Sequence, residues 1–418
     1  MKTDASASTA EGGAEAAPPR LSQAQIFWRF LHFGFLAWGG PVAQIAMIRR
    51  ELVEEERWVS SPRFNRLLAV YQVLPGPEAH ELCVFLGTLP GGRLGGFLAG
   101  LGFMLPGFVL MFALSWLYFS TDLARTALGA AFLGVQPAVI ALIVAAVHRI
   151  GSHIVVDGWL WGIAIATGLA AFGGTPFWIA LPAAGLFYVL AASGRRALAV
   201  LLAVAFAAVA LYYAWLLLGA PAQPAGGTAA PAESVGQGAS LIGLFLSGLK
   251  AGLLTFGGAY TVIPFLRDDA VGNGWMTDAQ FLDGLALSGI LPAPLIIFST
   301  FVGYFGGGPL GAVAMTVGIF LPAFSFSLLF HDQLERLVEN KAMRTFLEGV
   351  SAGVVGLIAA TTVELAHKTL GNVPGVLPAV AIFGAALAVL YLWKAKTNVV
   401  FVVLSAGLAG WLLFGGQG

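Results

Sequence analysis

The chain has 418 residues, of which 58% are hydrophobic and only 10% charged, against roughly a quarter charged in an ordinary soluble domain. A water-soluble fold of this size could not cover its surface with so few charges, and the mean hydropathy of +0.86 agrees. Lysine plus arginine balance aspartate plus glutamate at 21 each, which excludes the basic footprint of a nucleic-acid-binding protein. The single cysteine, Cys83, excludes an internal disulfide and a multi-thiolate metal cluster, and is read as a small buried apolar residue.

Residues 1–20 are rich in Ala, Ser, Gly and Glu and lack the basic-then-apolar layout of a signal peptide, so they read as a disordered tail. Apolar runs near the roughly 20 residues that span a bilayer core then follow one another. The first seven run from Leu21 to Ile48, Phe64 to Leu89, Leu94 to Phe119, Thr126 to Val147, Trp159 to Phe172, Pro176 to Ala192 and Ala197 to Leu218. Residues 219–240 are Ala/Pro/Gly-rich and almost uncharged, the composition of a flexible linker. Six further runs cover Leu241 to Leu266, Phe281 to Tyr304, Gly311 to Phe330, Phe346 to Leu365, Val376 to Trp393 and Val399 to Phe414.

The two sides of the linker repeat one another. Trp38-Gly39-Gly40-Pro41 recurs as Phe256-Gly257-Gly258-Ala259 at an offset of 218, and Trp58, Phe64, Pro75 and Pro77 recur as Trp275, Phe281, Pro292 and Pro294 at 217. Leu105-Pro106 matches Leu321-Pro322 at 216, and Phe132-Leu133 matches Phe346-Leu347 at 214. Offsets that drift only at loops mark an internal duplication, with repeats at residues 21–218 and 241–418. Seven segments before the second copy give it the opposite orientation. The expected fold is all-α: a polytopic transmembrane helical bundle of two inverted-topology repeats with Gly/Pro-broken helices and about 13 membrane segments. Treating the broken segments as re-entrant hairpins would change the helix number in both copies together.

Orientation follows Lys and Arg in short loops. A cytoplasmic N-terminus puts Arg93, Arg149, Arg195, Arg196, Arg267, Arg336, Lys341, Arg344, Lys394 and Lys396 inside, and leaves Arg49, Arg50, Arg57, Arg63, Arg66, Arg125 and Lys368 outside. The balance favours the N-terminus inside; the cluster after the first helix dissents, accompanied by Glu51, Glu54, Glu55 and Glu56.

The run Phe33-Gly34 through Trp38-Gly39-Gly40-Pro41, the loop ending Glu56-Arg57-Trp58, and Leu74-Pro75-Gly76-Pro77-Glu78 resemble the chromate ion transporter family in its two-domain form. So do Thr255-Phe256-Gly257-Gly258-Ala259-Tyr260, Gly274-Trp275-Met276-Thr277 and Asp283-Gly284-Leu285-Ala286-Leu287. The resemblance covers nearly the whole chain from Phe27 and implies an inner-membrane oxyanion transporter associated with chromate resistance by efflux, with sulfate as the mimic. Where that family repeats Pro-Gly-Pro in the second half, this chain has Pro292-Ala293-Pro294, and Ser288 stands where an acidic residue is often found.

A dianion that leaves water needs fixed donors, since a buried uncompensated charge is prohibitively costly. Backbone N–H groups at helix N-termini are such donors. Gly39-Gly40, Pro75-Gly76-Pro77, Gly257-Gly258 and Pro292-Ala293-Pro294 are the places where apolar helices should break and offer them, with Pro77 and Pro294 suited to the first position of a new half-helix. Gly and Pro also serve packing in membrane helices. Arg49, Arg50 and Arg267 either clamp an oxyanion bidentately or snorkel to the interface; Arg50 is the one placed in the binding set. Trp58 and Trp275 read as headgroup anchors, and Asp268 and Asp269 as a solvated loop.

Glu78, His80 and Glu81 are the dense ionisable cluster inside an apolar segment, and their repeat partners Leu295, Ile297 and Phe298 are apolar. They are candidates for proton coupling or for complementing a half-helix dipole. A carboxylate there competes with the anion, a tension that a protonation switch would resolve. Expelling a dianion from a negative interior gains about 4.6 kcal/mol per 100 mV, so coupling is not energetically required. No metal-ligand set, nucleotide fingerprint or nucleophile–base pair is present, which argues against an enzyme and against a cofactor; His148 and His153 read as interface residues. The partners expected are a small oxyanion and the lipid bilayer, with homodimerisation left open, and a passive anion channel is the nearest rival to a carrier.

Overall fold

The computed structural model describes residues 19–121, 127–219, 239–256, 258–330, 340–393, 395 and 397–415. Residues 1–18 of the expected tail (residues 1–20), most of the linker, Gly257, Arg125, Arg336, Lys394 and Lys396 lie outside the described residues. Among those described, every regular element is helical. Five helices are long and apolar enough to cross a membrane, and five more are apolar but shorter.

The first apolar run is two helices: α1 (Gln23–Phe35) and α2 (Gly40–Arg49), the latter continued by a π-helical stretch, Arg50–Glu55. A Ser22–Gln25 capping box starts α1. Gly39 and Gly40 stop it with φ of 88° and 76°, values that favour glycine. Beyond the break the chain turns back along α1, because Arg29 pairs with Glu51 (3.8 Å) and with Glu56, and Phe30 packs edge-on against Trp58 at 6.3 Å. The second run divides likewise into α3 (Ser61–Val73) and the start of α4 (Glu78–Ser120).

A straight 43-residue α4 would be about 65 Å long, twice the roughly 30 Å of a hydrocarbon core. It folds at Gly92 (φ 62°, ψ −159°) into two antiparallel arms, so that His80 faces Phe103 and a side chain at Gly87 would strike Ala99. This is the separation expected between Leu89 and Leu94. Further helices are α5 (Ala127–Ile154), α6 (Gly158–Phe172), α7 (Phe177–Ala192) and α8 (Arg196–Gly219).

Past the linker the pattern recurs. Helices α9 (Leu241–Leu253) and α10 (Ile263–Gly272) flank a break and a 3₁₀ turn, Ala259–Val262. The chain folds back here too, since the Asp269 carboxylate accepts from Ser247 and Lys250 on α9. Helix α11 (Asp278–Gly289), the 3₁₀ turn Leu295–Phe298 and α12 (Ser299–Leu329) form the next pair, with α12 folded at Gly308 (φ 63°, ψ −153°). Helices α13 (Lys341–Asn372), α14 (Val376–Leu392) and α15 (Asn398–Phe414) complete the chain.

Close approaches coincide between the halves. Gly34 abuts Phe103 and Pro106, as Gly252 abuts Ile319 and Pro322; Gly102 abuts Phe27 and Leu31, as Gly318 abuts Phe245 and Leu249. The C-terminal helices are exchanged between the halves: α5 packs on α14 and α15, and α13 packs on α6 and α7. Helix α8 has no counterpart, and its apolar span is almost entirely uncovered by protein, a surface suited to lipid rather than water.

Several expectations change. The runs Leu21 to Ile48, Phe64 to Leu89, Leu241 to Leu266 and Phe281 to Tyr304 are interrupted at the Gly and Pro positions, as expected; what changes is that the chain turns back after the breaks at Gly39-Gly40 and Gly258. Trp58 is not a headgroup anchor: it is 2% exposed, donates to Glu56 (2.8 Å) and lies under the Arg29 guanidinium. Asp269 is held in a helix pair rather than in a solvated loop. Arg267, expected on the face of Arg149, sits with Lys368 instead. It donates to Asp278 (2.7 Å) and Glu364 (2.7 Å), while Lys368 donates to Asp278 (2.6 Å). Conversely, the loop carrying Arg49, Arg50 and Arg57 returns to the end of the molecule where α1 starts.

Candidate functional site

Each break exposes helix ends, and the sequence dictates where. At the first, Pro41 occupies the first turn of α2 and no side chain caps that terminus; Gln44 donates to the Ala37 carbonyl (2.9 Å) and fixes the approach. At the second, Pro75 and Gly76 (φ 149°) form a bend, and Pro77, extended, is the residue just before α4 rather than its first. The Gly76 N–H donates to the Thr255 carbonyl (2.8 Å), so the second break of the first half meets the first break of the second half. There Gly258 (φ 120°) precedes the 3₁₀ turn, which Thr261 closes by donating to the Gly258 carbonyl (2.6 Å). At the fourth break Pro292, Ala293 and Pro294 are buried, and the Ala293 methyl lies against Gly107 of α4.

Three of the four breaks border one cavity of about 560 Å³. Pro41 and Val42 line it from the first, Glu78 from the second, and Gly258, Ala259 and Tyr260 from the third. The ends of α5 and α13 complete the wall with Arg149, His153, Arg344 and Glu348. Pro292 and Pro294 do not line it, and neither does Arg50, which lies at the surface paired with Glu55 (3.4 Å). Gly39, Gly40, Pro75, Gly76 and Pro77 shape the ends that reach the cavity.

The ionisable cluster splits by depth. Glu78 is half-buried at the cavity wall. Glu81 is fully buried; both carboxyl oxygens lack a hydrogen-bond partner among the described residues, and they press on Gly76, where an added Cβ would meet Oε1 at 2.8 Å. His80 is fully buried between Phe320 (5.0 Å) and Phe324 (4.7 Å), aromatic rings from the second half.

Sequence reasoning missed several residues. Arg149 reads as a cytoplasmic loop residue and His153 as an interface one because the helix is expected to end at Val147, whereas α5 runs to Ile154. Gln72 and Tyr260 flank recognised breaks and carried no signal of their own. A buried node was also missed: Asp283 accepts from Tyr118 (2.8 Å) and Gln136 (3.1 Å), joining α4, α5 and α11. Among the described residues no group of three or more His, Cys, Asp or Glu could hold a metal ion.

With this geometry in place, comparison with known proteins is decisive. The sequence matches the family described as Chromate transporter over residues 24–223 and 242–411. The chain belongs to the chromate transporter family. It is 67% identical over 405 residues to the chromate transport protein of Pseudomonas aeruginosa, covering 97% of this chain and 95% of that one. It is 29% identical over 405 residues to a probable chromate transport protein of Synechococcus elongatus, covering 94% and 96%. The chromate transport protein of Cupriavidus metallidurans is 29% identical over 413 residues, covering 96% of each chain. No solved structure matches. As a member of this family the chain is a multi-pass membrane transporter, in accord with its apolar helices.

Proposed function

We propose that this protein carries chromate, or a tetrahedral dianion of the same kind such as sulfate, out of the bacterial cytoplasm across the inner membrane, and so confers chromate resistance. The observation that carries the reading is the convergence of three helix breaks, drawn from both halves, on one cavity. Unpaired N–H groups at such ends favour an anion, and a site between two related halves suits alternating access.

The architecture proposed is two inverted repeats, each opening with two hairpins that enter the membrane and return to the side they came from. Matched glycine contacts and the exchanged packing of α5 and α13 support it. Gln23 at the start of α1 donates to the Gly91 carbonyl (3.1 Å), which sets residue 91 at the same end. The remainder of α4 then leads away, and Tyr118 packs on Phe132 (5.6 Å), so α5 returns and delivers Arg149 to that end. Arg29, Arg49, Arg50, Arg57, Arg63, Arg93, Arg149 and Arg344 thus share one face, and Arg267 and Lys368 the other. That asymmetry supports a cytoplasmic N-terminus. The cavity then opens toward the cytoplasm, where an exporter loads.

Uptake of chromate, sulfate and molybdate into inside-out membrane vesicles tests the proposal. Accumulation of chromate, with sulfate competing, is expected; vesicles with the protein that take up no more than vesicles without it would refute it.

A further inference from the structure

We infer that Arg149 is the cation that seats the transported oxyanion, with the Tyr260 hydroxyl as its directional partner. The inference rests on the transport reading above and assigns residues within that site.

Two guanidinium groups line the cavity, and they differ in state. Arg344 is committed to Glu348, one helical turn away, at 3.0 Å. Arg149 makes no ion pair among the described residues and stands exposed on the last turns of α5. A guanidinium presents a planar fork of donors that matches two oxygens of a tetrahedral oxyanion, which an ammonium cannot do. Tyr260 lies opposite in origin: it belongs to the 3₁₀ turn that follows Gly258, held by the Thr261 bond to the Gly258 carbonyl. Its hydroxyl makes no protein hydrogen bond among the described residues, and Tyr260 lines the same cavity as Arg149. A cation without an ion pair and a hydroxyl without a protein partner that line one cavity of about 560 Å³ are complementary to a small oxyanion with oxygens on more than one side.

The two groups also come from different halves, Arg149 from the first and Tyr260 from the second. Arg50, the cation first favoured from sequence, is paired with Glu55 outside the cavity.

The test measures chromate uptake by inside-out vesicles containing wild type, Arg149→Gln, Arg149→Lys, Tyr260→Phe or Arg196→Gln, alongside binding of radiolabelled chromate to the purified proteins with sulfate as competitor. Loss of charged hydrogen bonds predicts a KM and a binding constant raised about tenfold or more in Arg149→Gln. Arg149→Lys should recover only part of the loss, Tyr260→Phe should show a smaller rise, and Arg196→Gln should match wild type. Wild-type affinity in a folded Arg149→Gln overturns the assignment while leaving transport intact. Equal losses in Arg149→Gln and Arg196→Gln that disappear at high salt also overturn it, since they would mark long-range attraction. If wild-type vesicles take up no oxyanion, the transport reading falls, and the seat is then judged by binding: weaker binding in Arg149→Gln upholds it, and no binding by wild type ends it.

Discussion

Replacing Gly258 separates two effects that the first break of the second half combines. Its backbone, φ 120° and ψ 164°, lies in a region open essentially to glycine, and any other residue there costs about 1–3 kcal/mol. An added Cβ meets nothing within 4 Å, because it points into open space beside the cavity that Gly258 lines. Gly258→Ala therefore carries the strain alone, a loss that a protein with about 5–15 kcal/mol of stability survives. Gly258→Leu carries the same strain and adds a branched side chain to the anion's space. Heating of detergent-solubilised protein followed by size exclusion should show similar losses of stability for the two variants. Chromate uptake should persist in the alanine variant and be abolished in the leucine variant. Equal uptake by both would refute the claim that this backbone approaches the anion.

Gly107→Ala sets a methyl group against that of Ala293 and should destabilise by about 1–3 kcal/mol; Ala293→Gly in the same chain should recover most of it, and a double-mutant cycle in thermal unfolding without coupling would refute the contact. Glu81→Gln should retain chromate binding and flatten the pH dependence of uptake, and an unchanged pH profile would reduce Glu81 to a structural residue. With the buried Cys83 replaced by serine, cysteines introduced as Glu54→Cys and Lys368→Cys should react with a membrane-impermeant maleimide from opposite sides. Labelling of both from the same side would defeat the proposed hairpins.

The breaks were legible in the sequence because glycine and proline act locally. Gly39, Gly40, Gly76 and Gly258 have φ values that side chains avoid, and prolines occupy or flank the new helix starts at Pro41 and Pro77. The direction taken after each break was not legible. Hydropathy counts apolar residues and is blind to reversal, so Leu21 to Ile48 has the length of a crossing helix whether the chain continues or returns. What decides is contact between distant residues, Arg29 with Glu56 in one half and Ser247 with Asp269 in the other. The cavity was hidden for the same reason. Arg149 follows an apolar run and so resembles any interfacial arginine until α13 brings Arg344 and Glu348 beside it.

The dissent in the charge pattern resolves through those reversals. If the first broken run crossed the membrane, Arg49, Arg50, Arg57 and Arg63 would lie opposite Arg93 and Arg149, against the usual bias of positive loops. The return forced by Arg29 and Trp58 moves the whole cluster to the face of Arg149, and the acidic residues Glu51, Glu54, Glu55 and Glu56 travel with it as partners. The matching return in the second half moves Arg267 away from that face and into the company of Asp278, Glu364 and Lys368. On the proposed inverted arrangement, one geometric device used twice from opposite sides makes the charge distribution coherent. It also leaves the break ends at the depth where Gly76 can meet Thr255, so the two halves touch where the anion would pass.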